Sequence, residues 1–474
     1  MFDVLVIGAG PAGVVAALRA GDLGAKTALV TRDAFGGMAA HDGPVPVRAL
    51  AHAARLIRDA RQLGDYGIET QGAELNYSRL LERVRGITDE VCGNSLLRKQ
   101  IDDVAVVVHE KVGPVRFVDA HTIDTESGAR LQAGRIIICC GGASRTLDLP
   151  GAELTCTHSD AWSLTAIPKS LIVVGGGATG AQVASIFNAF GSKVQLFQSG
   201  PRILHTEDAD VSDLVSRAFR DNGIDIRENF GRIESFSKTS DGVRMNYSKD
   251  GRTETAEAEV VVISIGWLAN TVGLQLDNAG VNTDDRGFVA TNEFLQTSAP
   301  NIFAAGDVTG HLLLVPQAIR EGFTAGTNAV RGPEATLPEH VMPIGSFTDP
   351  EYAQVGMTET QARELHDVVV ASIPFDSTTR TIIDGRTNGF CKLVVDRSTR
   401  RILGCHVVGE RAVEITQVAA VAMNSGLPID QLAHVPFSFP TYTGVLGRAA
   451  AKVARELNVA SDPRASKLDL SSPQ

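Results

Sequence analysis

The 474-residue chain has only six cysteines, and none of them forms a CxxC pair. So sparse a set excludes a disulfide framework and a zinc site. No apolar run approaches the roughly 20 residues that a membrane span requires, so no membrane partner is expected. A basic patch is missing as well: 44 lysines and arginines face 55 acidic residues, for a net charge of −11. A binder of phosphate backbones needs the opposite sign, and nucleic acid is not expected as a partner. The first apolar run, Phe2-Asp3-Val4-Leu5-Val6-Ile7, is not preceded by the charged and apolar regions of a signal peptide. These absences together predict a cytoplasmic protein.

What is present is an ordinary globular composition, 43% hydrophobic and 21% charged. The length exceeds what one core fills, so two or three domains are expected. Glycine stands out at 47 residues, several in tight clusters after apolar runs. The first unit reads as a buried strand Val4–Ile7, the turn Gly8-Ala9-Gly10-Pro11-Ala12-Gly13, an alanine-rich helix over 14–23 and a strand over 26–30. A second unit repeats it. Ser170–Val174 leads into Gly175-Gly176-Gly177-Ala178-Thr179-Gly180, then a helix to Phe190 and a strand over 193–197. Two GxGxxG turns, each between strand and helix, predict two dinucleotide sites. The glycines let the turn close and let a pyrophosphate approach the positive end of the helix.

Between the units, helices are predicted over 48–62 and 77–99, and the strand Arg135–Ile138 runs into Gly141-Gly142. Val260–Gly266 reads as that strand's counterpart in the second unit. Asn301–Asp307 reads as strand then Gly-Asp, followed by a helix over 317–330. From about Leu337 strands alternate with helices over 412–424 and 444–457, an α+β unit without a nucleotide turn. The end of the chain reads as a loose tail.

GAGPAG at Gly8–Gly13, GGGATG at Gly175–Gly180 and IFAAGD at Ile302–Asp307 make the chain resemble the pyridine nucleotide–disulfide oxidoreductase family. FTDPEYAQVGMTE at Phe347–Glu359 and RILGCHVVG at Arg401–Gly409 look like that family's dimerisation domain. The resemblance runs essentially end to end. It implies an α/β chain with two Rossmann-type domains, for FAD and NAD(P)H, plus a C-terminal α+β dimerisation domain, assembled as a homodimer. The implied divisions are 1–150 with 271–335 for FAD, 151–270 for NAD(P), 336–460 for dimerisation and 461–474 as tail. It further implies that Asp307 bonds the ribityl chain. The helix after Pro316-Gln317 would aim its positive end at the flavin. Gly37, Met38, Gly141, Gly306 and Gly266 complete the implied cofactor walls.

The chain also departs from the family pattern. Where the resemblance implies a redox motif GGTCxxxxCxPSK, the segment from Gly36 to Arg48 has Ala39 and Pro44 at the cysteine positions. Where it implies HPTxSE, Phe439 stands for histidine and Gly444 for glutamate. Thr31-Arg32 replace the acidic residue at the end of the first unit's second strand, and Gln198 occupies that place in the second unit. Gln182 and Arg48 replace a glutamate–lysine pair beside the flavin.

A dithiol and its proton shuttle work together, so losing both predicts an enzyme that is not a disulfide reductase. The expected reaction passes electrons from NAD(P)H through flavin to a small-molecule acceptor, a quinone or similar planar compound. That acceptor would sit over Ala39, in a pocket walled by Phe439 and Tyr442 of the second subunit and edged by a loop stiffened by Pro44 and Pro46. His41 is the candidate proton donor, or else a polar loop residue turned elsewhere. A transhydrogenase-like enzyme and a silent flavoprotein scaffold are the alternatives. Cys139 and Cys140 read as core packing, as does Trp267, and His311, His406 and His434 as structural.

Overall fold

The computed structural model describes residues 1–69, 72–93, 96–337 and 341–459; the expected tail lies outside the described residues. The first unit begins with β1 (Phe2–Ile7), α1 (Pro11–Asp22) and β2 (Thr27–Val30). Then come α2 (Gly37–His41), α3 (Pro44–Arg61), α4 (Tyr77–Gly93) and α5 (Leu96–Asp103). The sheet is completed by β3 (Val107–His109), β4 (Val115–Asp119), β5 (Thr122–Thr125) and β6 (Arg130–Ile138). Strands β3-β2-β1-β6 run parallel, and the first half of β6 turns antiparallel onto β5 and β4. Val4, Leu5, Val6 and Ile136–Ile138 are buried on both faces, as their unbroken apolar runs require.

Strand β7 (Gly142–Ser144), β8 (Cys156–Thr157) and α6 (His158–Ala161) lead to the second unit, β9 (Ser170–Val174), α7 (Ala178–Ala189) and β10 (Lys193–Gln198). After α8 (Ala209–Asp221) and β11 (Asp225–Glu228) comes an antiparallel trio, β12 (Arg232–Lys238), β13 (Val243–Lys249) and β14 (Arg252–Ala258). β15 (Val260–Ile263) completes a second parallel sheet in the order β11-β10-β9-β15-β8. Strand β16 (Trp267–Ala269) then pairs with β7, and β17 (Ile302–Ala304) joins β6 of the first sheet.

Helix α9 (Val315–Arg331) crosses α1 at unusually short range. A Cβ on Gly322 would stand 2.2 Å from the Ala12 carbonyl oxygen, and one on Gly326 would stand 2.6 Å from that of Ala16. The last unit is an antiparallel sheet, β18 (Ile344–Ser346), β19 (Tyr352–Gly356), then β20 (Val368–Pro374), β21 (Phe390–Asp396) and β22 (Ile402–Val408), ordered β18-β19-β22-β21-β20. Helices α10 (Glu359–Leu365), α11 (Thr379–Ile383), α12 (Ala412–Asn424), α13 (Ile429–His434) and α14 (Gly444–Glu456) accompany it. Among the described residues no helix is long and apolar enough to cross a membrane.

One expectation needs correction. The segment expected as a stiffened loop is helical. Pro44 opens α3 at its first position, where its missing N–H would have had no partner, and Pro46 lies in the same first turn. Of the helix expected over 77–99, the described residues are helical to Gly93 in α4 and from Leu96 in α5.

The second and last units are joined by a buried cation. Lys392 of β21 is 4% exposed and donates to Asp208 at 3.0 Å and Asp210 at 2.7 Å, both at the start of α8, and to Glu359. The Glu359 N–H also donates to Asp208 at 2.9 Å. Lys392 is held well above its ordinary range by these carboxylates, although its burial opposes the shift. Asp208 and Glu359 are held below theirs by the same contacts, again against burial. Their contribution is therefore complete above the ordinary carboxylate values of 3.8 and 4.5 and is lost as pH falls further. Lys392→Met should cost about 3–5 kcal/mol at pH 7, because it strands buried Asp208. Urea denaturation at pH 7 and pH 3 should show that cost shrinking in acid; an equal cost at both would refute the clamp.

Candidate functional site

The two glycine turns have the same geometry. Gly8 has φ +107° and Gly175 φ +104°, which only glycine adopts without strain. A Cβ on Gly13 would stand 1.8 Å from the Gly8 carbonyl oxygen, and one on Gly180 would stand 1.8 Å from that of Gly175. These glycines let helix and strand touch. Gly10 and Gly177, the N-caps of α1 and α7, have nothing within 4 Å of a built Cβ. Neither helix has a side-chain cap or an acidic residue in its first turn, so the positive helix ends are left for a ligand. This is the cradle that a pyrophosphate requires.

A cavity of about 910 Å³ opens in front of the first turn. Gly8, Gly10, Pro11 and Ala12 line one wall, with Thr31 and Arg32 at one end. Gly37, Met38, Ala39, His41 and Pro44 form another, and Gly141, Gly306 and Asp307 a third. Ala178, Thr179 and Gln182 of α7 also reach it, so both units face one space.

Several expected site residues lie elsewhere. Arg48 and Gln182 do not pair. Gln182 accepts the Phe347 N–H at 3.3 Å, whereas the Arg48 guanidinium stacks 3.8 Å over the Phe347 ring and faces Glu351 at 3.6 Å. The uncharged amide leaves the arginine to find a carboxylate on the other side of Phe347. Pro316 and Gln317 are not in the cavity wall; Leu314, Val315 and Ala318 are. The Gln317 amide donates instead to Glu321 at 2.8 Å. Gln198 turns inward, its Oε1 accepting the Gly176 N–H at 2.9 Å. Gly266 has φ +112° at the end of the second sheet, outside the cavity wall. Phe439 is 75% exposed, and the Tyr442 hydroxyl donates to Asp384 at 2.8 Å; neither reaches the cavity of its own chain.

His41 closes α2 rather than sitting in a loop, and its Nε2 lies 2.9 Å from the Phe35 carbonyl oxygen. Trp267 packs as expected, but it does so on the cavity wall. Its ring lies 4.8 Å, edge-on, from His158, a residue that no motif marks. His158 is buried, 3.2 Å from the Ser144 hydroxyl, and lines the same wall as Asp42, which accepts the Ser159 hydroxyl at 2.6 Å. A lone histidine between a short strand and a short helix carries no spacing signal. His311, His406 and His434 each hold a structural hydrogen bond, as expected.

Burial, with Glu321 behind it, raises Asp307 to about 6. The folded state thus binds this proton more tightly than the unfolded chain, whose value is 3.8. The stability it adds is full below 3.8 and is lost as pH rises through about 6. In flavin-free protein, Asp307→Asn should remove about 3 kcal/mol of pH dependence between pH 4 and pH 7.5, judged against wild type by urea denaturation. Parallel curves for the two proteins would show the shift to be absent.

Comparison with known proteins agrees with this architecture. Residues 2–322 match the pyridine nucleotide-disulphide oxidoreductase family, and residues 342–450 match its dimerisation domain, which supports a homodimer. A dihydrolipoyl dehydrogenase of Bacillus subtilis is 33% identical over 95% of this chain and 97% of its own length. A mercuric reductase of Lysinibacillus sphaericus is 31% identical over 96% of this chain and 83% of its own. The Cu(II) complex of the HOCl-induced flavoprotein disulfide reductase RclA from Escherichia coli superposes with a TM-score of 0.85 at 25% identity, covering 95% of this chain and 99% of that one. These relatives point to disulfide-reductase chemistry. They overturn the expectation of a quinone reductase outside that class. The family's members use FAD and NAD(P)H, and both glycine cradles fit such dinucleotides. With two dinucleotide units facing one cavity and a matching third unit behind them, this chain belongs to the pyridine nucleotide-disulphide oxidoreductase family.

Proposed function

We propose that the chain is an FAD-dependent NAD(P)H oxidoreductase acting on a thiol–disulfide couple, with no reactive cysteine pair of its own at the cavity. One observation carries this reading: residues of both glycine-turn units line the same cavity. FAD bound there supplies two-electron exchange between the nicotinamide and the second couple. Gly8, Gly10, Pro11, Ala12 and Gly13 would hold its pyrophosphate at the uncapped start of α1, and Thr31 and Arg32 would hold its adenosine. Gly37, Met38, Gly141, Gly306 and Asp307 shape the remaining walls. Gly175, Gly177 and Gly180 do the same for NAD(P)H, with Gln198 bracing their turn and Gly266 ending the strand beside it. The assignment of residues 1–150 and 271–335 to FAD, 151–270 to NAD(P) and 336–460 to dimerisation is supported by β17, which joins the first sheet from residues 302–304. A cytoplasmic setting suits the six free cysteines.

Ala39 and Pro44 line the cavity where the resemblance implies cysteines, and Phe439 and Gly444 stand where it implies the acid–base pair. Cys139 and Cys140 do line the cavity, but burial pushes Cys139 well above the ordinary thiol range and Cys140 to about 12. Neither supplies a thiolate. A disulfide must therefore enter the cavity itself. Exposed Phe439, with Tyr442 nearby, is available to close the cavity of a second copy.

FAD-loaded protein mixed anaerobically with NADH or NADPH should lose its visible flavin absorbance, and a small cyclic disulfide should restore it. Flavin that stays oxidised, or stays reduced with every disulfide offered, would sink the proposal. The cradle has its own test. Gly10→Val should fold normally yet bind FAD at least about tenfold more weakly, since the added side chain meets only the ligand's space. Gly13→Val should fail to fold, because its Cβ meets the Gly8 carbonyl. Normal flavin uptake by Gly10→Val would place the pyrophosphate elsewhere.

A further inference from the structure

Glu321 of α9 is fully buried and does not line the cavity. Four polar groups converge on it. Its Oε2 takes the Gly306 N–H at 2.7 Å and lies 3.4 Å from the Thr309 hydroxyl, which also donates to the Gly306 carbonyl oxygen at 2.9 Å. Its Oε1 takes the Gln317 amide at 2.8 Å and faces His311 Nδ1 at 3.0 Å. The Gly306 N–H and the Gln317 amide donate one to each oxygen, an arrangement suited to a carboxylate. A charge placed this deep is costly unless it is fully bonded. Here it is bonded, and one of its bonds is to the backbone of the turn that presents Asp307.

The neighbouring residue, Gly322, presses on Ala12, so Glu321 cannot drift from the turn without parting α9 from α1. Its charge is felt on three sides. It raises Asp307 on the cavity wall, adds to the rise of Cys139 at the end of β6, and raises His311, against which Arg286 acts in the opposite sense.

We propose that Glu321 is a positioning residue of the flavin site: it ties the Gly306–Asp307 turn to α9 and, as a fixed negative charge behind that wall, sets the redox balance of the FAD bound there. This rests on FAD occupying the cavity and is independent of the acceptor. Reduction adds negative charge to the flavin, and a nearby carboxylate in a low-dielectric wall disfavours it. Removing the charge favours the reduced form.

The test uses FAD-loaded wild type, Glu321→Gln and Glu321→Leu, titrated anaerobically against a redox dye, with FAD retention measured by ultrafiltration. Glu321→Gln keeps the size and most of the bonding, because Gln317 and His311 can reverse their roles. It should retain FAD and shift the redox equilibrium toward reduced flavin by about tenfold, about 30 mV for a two-electron couple. Glu321→Leu frees the turn and should also weaken FAD retention by about tenfold or more. If the leucine variant does not fold, the potential of the glutamine variant decides. Wild-type potential and retention in Glu321→Gln, with wild-type retention in any folded Glu321→Leu, would overturn the proposal. Wild-type protein that takes up no FAD would overturn the cofactor assignment together with it.

Discussion

Close contact between α1 and α9 is the constraint on which the rest of the cavity depends. Helix α1 must begin at the glycine turn, with its free N–H groups facing the cavity, and it must lie against β1 and β6. Gly13 allows that by removing the atom that would strike the Gly8 carbonyl. Helix α9 must then settle on α1 while it presents the Gly306–Asp307 turn to the same space. Gly322 and Gly326, one turn apart, allow backbone to meet backbone at Ala12 and Ala16. Any larger side chain at these positions would push α9 outward and move Asp307 with it. The shape of the wall is thus decided by what three glycines omit.

Buried charge is treated in a consistent way across the chain. Lys392 is surrounded by three carboxylates, and Glu321 by four polar groups; each is placed where two parts of the fold must hold a fixed relation. Arg48 illustrates the same rule from the other direction. With the neutral Gln182 nearby it turns to Glu351, a carboxylate that burial has lifted to about 7. Buried, bonded charges such as Lys392 and Glu321 contribute specificity of arrangement more than net stability.

The correction about chemistry has a physical lesson of its own. Ala39, Pro44 and Phe439, standing where the resemblance implies cysteines and a histidine, bear on how electrons leave the flavin, whereas the quinone assignment concerned where they go. The identity of an acceptor is a property of the closed site, which a list of absent groups does not describe. Whole-length similarity to dihydrolipoyl dehydrogenase and mercuric reductase carries information on that point that Ala39 and Phe439 do not.

Local order was legible in the sequence wherever one residue type has one physical use. Unbroken apolar runs at Val4–Ile7 and Ser170–Val174 could only be buried strands, and the glycine turns after them could only be close approaches to a helix and a ligand. The α12 span was readable to the residue, and the α9 and α14 spans to within two. Tertiary structure decided everything that depends on partners distant in the chain. Arg48 chose between Gln182 and Glu351, Gln198 turned toward Gly176, and His158 met Trp267 on the cavity wall. Glu321 was placed beneath Gly306 by a helix contact 15 residues away in the chain. Polar side chains have several acceptable partners, and which one is met is settled by the path of the backbone; glycines and apolar runs have a single acceptable setting, and so their roles were written in the sequence itself.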